Sequence, residues 1–93
     1  MMMNQSAKDF VGKLREAFRA NGLIAEVESR EGALVLAWES AGMEKELIEA
    51  KRLIAEIAHE YGFEARFANP GPAAFNEIAG KHEKEFIVRP IAG

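Results

Sequence analysis

The spacing of apolar positions switches between about 3.6 and two along this chain, and each switch marks an element. From Ala7, the residues Phe10, Val11, Leu14, Ala17 and Phe18 fall on one helical face. Ser6 suits an N-cap, and Asp9 at the third helical position suits the helix dipole. Asn21-Gly22 supplies a stop, with Gly22 as a left-handed cap. These signals predict a helix over residues 7–21, preceded by a frayed tail at 1–5. The period then drops to two. Leu23, Ala25 and Val27 alternate with Ile24, Glu26 and Glu28, and Ser29-Arg30-Glu31-Gly32 forms a turn. In the return strand, 33–39, Leu34, Leu36 and Trp38 share one face and Ala33, Val35 and Ala37 the other. A strand apolar on both faces is central or covered on both sides. The two runs read as a hairpin.

Ser40-Ala41-Gly42 breaks the strand, and a second helix is predicted from Met43 or Glu44 to Tyr61. Its buried stripe is Leu47, Ala50, Ile54, Ile57, Ala58 and Tyr61, widened by Ile48 and Leu53. Gly62 ends it as a left-handed cap. Phe63, Ala65 and Phe67 then alternate with Glu64 and Arg66 as a third strand. Asn69-Pro70-Gly71-Pro72 is the strongest breaker in the chain. Residues 73–84 read as a loop or as a short helix opened by Pro72, with Phe75, Ile78 and Ala79 facing inward; Gly80 weakens the helix. Residues 85–91 read as a fourth strand, placed at an edge because Pro90 removes a ladder donor. The fold class that follows is α+β: a two-layer sandwich with an about four-stranded, mainly antiparallel sheet and two long helices on one face. Its order is αββαβ(α)β. Moving the last strand to the front gives a ferredoxin-like order, so the topology is a permuted ferredoxin-like one.

Composition narrows the possibilities. A chain of 93 residues is read as one domain, 1–93, and buries only roughly 60–65% of its unfolded surface. The absence of cysteine excludes disulfides, thiolate metal sites and thiol nucleophiles. The start, Met1-Met2-Met3-Asn4-Gln5, lacks the basic and apolar regions of a signal peptide. The longest unbroken apolar run, 33–38, is far short of a membrane span. These features read as a soluble, cytoplasmic protein with no membrane partner. A net charge of −3 disfavours a phosphate-backbone binder without excluding a local basic stripe.

No residue pattern in the sequence marks a catalytic, metal or cofactor-binding site. Glu56 and His59 share a helix side, but metal sites need three or four convergent ligands. His59 reads as a solvated helix-end histidine, and His82, beside Lys81, Glu83, Lys84 and Glu85, as part of a charged, exposed turn. Glu26, Glu28 and Glu64 read as a polar outer sheet face rather than acid–base pairs. Ser6, Ser29 and Ser40 have local capping or turn roles and no histidine placed to activate them. The glycines are scattered singly, without a phosphate-cradle pattern. Gly12 stands out inside the first helix, at a cost of about 1 kcal/mol relative to alanine, and suggests close approach of another backbone.

Two surfaces carry the functional expectation. Lys8, Arg15 and Arg19, with Lys13 nearby, form a basic strip on the first helix, suited to an acidic partner. The sheet face with Ile24, Ala33, Val35 and Ala37, and with Ile87 and Ile91, would lie uncovered if the helices cover the opposite face, which suggests a homodimer interface. The leading expectation is a non-enzymatic protein-interaction module, an adaptor, regulator or inhibitor of the kind found in phages and mobile elements. Its partner is another protein or a second copy. The alternatives are a small-molecule-sensing homodimeric regulatory domain, with ligand between helix and sheet, and a weak nucleic-acid binder using the first helix. Acidic residues at the outward sheet positions argue against the aromatic sheet of an RRM-type RNA reader.

Overall fold

A computed structural model describes residues 5–30, 33–39, 43–68 and 73–91. The predicted breaks at 40–42 and 69–72, Glu31-Gly32 of the predicted turn and residues 1–4 of the predicted tail lie outside the described residues, whereas Ser29 and Arg30, expected in that turn, are strand residues paired with Leu34 and Ala33. The elements are α1 (Gln5–Ala20), β1 (Glu26–Arg30), β2 (Ala33–Trp38), α2 (Met43–Glu60), β3 (Phe63–Phe67), β4 (Ala74–Asn76) and β5 (Lys81–Pro90). Helix α1 begins at Gln5, so Ser6 lies inside it rather than capping it.

Strands run in the order β1-β2-β5-β3, with β4 also paired to β5, and every pairing is antiparallel. Both β2 and β3 oppose β5, so they are parallel to each other, and α2 is the crossover between them. This is the order obtained by moving the last strand of the chain to the front of a ferredoxin-like unit. The sheet has five strands rather than about four, because β4 adds a short one.

One layer of core lies between the helices and the sheet. Phe10, Val11, Leu14 and Phe18 of α1 and Ala50, Leu53, Ile54, Ile57 and Ala58 of α2 meet Val27, Leu34, Leu36, Trp38, Phe63, Phe86 and Val88. The larger of these side chains each contribute roughly 1.5–3 kcal/mol by leaving water. The helical spacing read from the sequence is the cause: it puts each helix's apolar residues on one stripe, and only the sheet offers a surface to cover it. Each helix then ends at a glycine of positive φ, Gly22 at 72° and Gly62 at 78°. At α1, Leu23 N–H donates to Phe18 O and Gly22 N–H to Arg19 O, the paired bonds of a Schellman stop.

Three expectations are corrected. Strand β5 is central, not an edge: β2 lies on one side, and β3 and β4 lie on the other. Pro90 is tolerated because the β2 register ends at Ile87, so Pro90 has one neighbouring strand, and the ladder resumes when Ile91 N–H donates to Gly62 O. Residues 73–84 hold no short helix. They contain β4, the 77–80 turn and the start of β5. Asn76 sets that turn: its Oδ1 accepts from Ile78 N–H and Ala79 N–H, and its carbonyl accepts from Gly80 N–H. Phe75 and Ile78, expected to face inward, are exposed. Finally, among the described residues nothing lies within 4 Å of a Cβ added at Gly12, so none of them makes the close backbone approach expected there.

Candidate binding groove between the first helix and an edge strand

Among the described residues, strand β1 pairs with β2 alone, and its other flank meets the C-terminal half of α1, where Arg15 reaches Val27. Between them runs a groove of about 490 Å³, lined by Arg15, Phe18, Arg19, Leu23, Ala25, Glu26, Val27 and Glu28. The sequence builds it locally. Positions 15, 18 and 19 of α1 are adjacent on the helix surface at its three- and four-residue spacing. The Schellman stop then turns Leu23 back under the helix end, and residues 23–25 run on into β1. The floor is apolar, with Phe18, Ala25 and Val27 buried and Leu23 half-buried.

The wall is cationic. Arg15 Nε donates to Val27 O at 3.1 Å, which ties the helix to the strand's open edge. Among the described residues, neither Arg15 nor Arg19 has a carboxylate within ion-pair distance. The groove's own carboxylates point elsewhere: Glu28 pairs with Arg30, and Glu26 with Lys81. Lys8, the third residue of the predicted strip, is exposed but lies about two helical turns away and does not line the groove.

One carboxylate supports the floor from behind. Glu46 Oε1, near the start of α2, accepts from Ile24 N–H at 3.1 Å and from the Trp38 indole N–H at 3.0 Å. It fixes the segment between α1 and β1 to the second helix and to the core tryptophan.

The opposite face of the sheet differs from its sequence-based picture. Val35 is 3% exposed and Ala37 is 1% exposed; Ala33 is half-buried and Ile24 is 68% exposed. The apolar centre of that face is roofed by the chain's own charged side chains. Arg30 of β1 reaches across β2 to Glu83 of β5, and Lys81 of β5 reaches back to Glu26 of β1. Arg30 also holds Glu28, and Glu64 pairs with Arg66 and Arg89. The Glu83 carboxyl is held below its usual range, first by the bond from Arg30, against a desolvation that raises it, and with help from Asn76. The Lys81 ammonium is raised by Glu26.

His59 is exposed in the last turn of α2. His82 is in β5 rather than in a turn, with its ring edge-on to Phe75 at 5.0 Å between centroids. No three potential metal ligands converge among the described residues. Within the same residues, no helix is long and apolar enough to cross a membrane.

Sequence reasoning missed Phe18, Leu23 and Val27 as groove residues, because each was assigned to the core or to the hairpin. The available signal was the glycine stop that returns the chain beside Arg15 and Arg19. Comparison of the chain with family models, with curated proteins and with solved structures finds no match to any of them.

Proposed function

We propose that this protein is a non-enzymatic binding module that captures an extended, acidic segment of a partner protein along the α1–β1 groove. A peptide laid beside β1 would extend the sheet through main-chain bonds, the mode called β-augmentation. Alternate side chains would reach the floor of Phe18, Leu23 and Val27. Acidic side chains would meet Arg15 and Arg19. The observation that carries this reading is the pairing of an open strand edge with two arginines that lack carboxylate partners among the described residues. An incoming segment takes over the Val27 edge that Arg15 now covers and supplies the guanidinium with a charge-assisted bond in exchange.

Display of a random peptide library on the protein tests it. The expected selected sequences alternate acidic with β-branched or aromatic residues. Binding should fall about tenfold or more in Arg15→Ala and again in Arg19→Ala, and should weaken with salt. Selection of sequences without acidic residues, or binding unchanged in both variants, overturns the reading. A duplex or single-stranded nucleic acid that binds with a steep salt slope through the same arginines would favour the nucleic-acid alternative instead.

A further inference from the structure

The fold repeats the helix-beside-edge-strand relation on its other side, and there the chemistry differs. Helix α2 lies beside β3, and between them is a cleft of about 240 Å³ lined by Lys51, Ile54, Ala55, Ala65, Arg66, Phe67 and Phe86. Its back is aromatic: the Phe67 and Phe86 rings are 4.6 Å apart between centroids. Ala55 and Ala65 keep its two walls low. Two ammonium groups converge on one ring, with Lys84 Nζ 4.6 Å and Lys51 Nζ 4.9 Å from the Phe67 centroid. They are therefore within about one Debye length of each other, roughly 10 Å at 0.1 M salt. Lys84 is 4% exposed, the only buried charged residue among those described. The face of the Phe67 ring is one of the contacts that offset its burial.

The neighbouring cation shows what Lys51 lacks. Arg52 is bracketed by Glu49 and Glu56 and pairs with both. Lys51 has Leu47 and Ile48 before it and Ile54 and Ala55 after it at helical spacing, so its own helix offers no acidic partner. No ion pair to Lys51 occurs among the described residues. Its ammonium instead lies over Phe67 at the cleft.

We infer that this cleft is a ligand site for a small organic anion with a flat apolar body, such as an aromatic carboxylate. The body packs between Ala55, Ala65 and the two phenyl rings, and the carboxylate meets Lys51. Cation–π contact alone is weak at an exposed site. A charge-assisted bond to a carboxylate is roughly twice as strong as a neutral one, so the ligand draws the Lys51 ammonium off the ring. This inference is independent of the α1–β1 reading, since no residue is shared.

The test is a titration of the labelled protein with sodium benzoate at low ionic strength, followed by backbone amide shifts. The expected result is saturable shifts at Ile54, Ala55, Ala65 and Phe67. Affinity should fall about tenfold in Lys51→Met, the loss of one charge-assisted contact, and stay unchanged in Arg52→Met. Ala55→Phe, at an exposed helix position, fills the cleft while leaving Lys51 in place, and should abolish binding. Inorganic phosphate should give no saturable shift there. The inference is overturned by any of three results: no saturable binding of benzoate, shifts that map to Arg15 and Arg19, or phosphate binding as tightly as benzoate.

Discussion

Replacing Glu46 with alanine should destabilise the whole domain, and the size of the loss follows from its two bonds. Trp38 is 2% exposed and its indole N–H donates to Glu46 Oε1. Removing the acceptor leaves a buried donor unpaired, which costs about 1–3 kcal/mol. The Ile24 N–H bond is exposed, and water replaces it at a cost of a few tenths of a kcal/mol. Together the loss is about 1.3–3.5 kcal/mol. At about 4–8 °C per kcal/mol for a domain of this size, Tm should fall by about 5–28 °C. Glu46→Gln keeps an acceptor oxygen and loses only the charge assistance, so it should cost about 1 kcal/mol. Trp38 is the chain's one tryptophan, so denaturant unfolding followed by its fluorescence reports on the site itself. If Glu46→Ala unfolds within about 0.5 kcal/mol of the native protein, or if the alanine and glutamine variants are equally affected, the carboxylate does not hold Trp38 in this way. A secondary consequence belongs to the groove. Freeing Ile24 loosens residues 23–25, so peptide binding should weaken in Glu46→Ala even where the protein is fully folded.

Two further substitutions separate local from long-range effects. Gly12→Ala should stabilise the protein by up to about 1 kcal/mol, because the helix gains propensity and an added Cβ meets nothing within 4 Å; a lower Tm would mean that another molecule's backbone approaches there. Glu83→Gln removes the strap from Arg30, partly exposed to solvent, and should cost only about 0.5–1 kcal/mol at neutral pH. The folded carboxyl lies below its usual value of 4.5, so its contribution is fully present above that pH and is lost as acid drives through the lower folded value. Stability curves of the native protein and Glu83→Gln should therefore run parallel from pH 7 to pH 5 and converge below it. Curves that stay parallel into acid would show that Glu83 does not carry the difference.

The elements that could be read from the sequence were those with local causes. The two helices, the first hairpin and the stops at Gly22 and Gly62 follow from spacing and glycine chemistry within a few residues. Strand β5 could not be read that way. Its first half, Lys81-His82-Glu83-Lys84, is as polar as a surface turn, yet Lys84 is buried against Phe67 and Glu83 is held by Arg30 from the far side of β2. Pro90 pointed to an edge, because sequence does not show where a neighbouring strand stops. The same blindness to distant partners affected the sheet's outer face. Val35 and Ala37 read as a bare patch, since nothing local reveals that Arg30, Lys81, Glu26 and Glu83 close over them. Arg15 and Arg19 were found because charge on a helix face is a local pattern, whereas the groove they flank exists only once the chain has turned back.

The central place of β5 also sets the order in which this molecule can assemble. During synthesis, β2 emerges roughly fifty residues before the strand that pairs along its second edge, and among the described residues β3 pairs only with that same strand. Until β5 arrives, the Ala33–Trp38 segment, apolar on both faces, has only β1 beside it. The nascent chain thus holds an adhesive strand with an open flank while it waits for its last strand, the state in which off-pathway association is fastest. Slowing translation between β4 and β5 should raise the aggregated fraction, and supplying β5 early, by a circular permutation that places it first, should lower it.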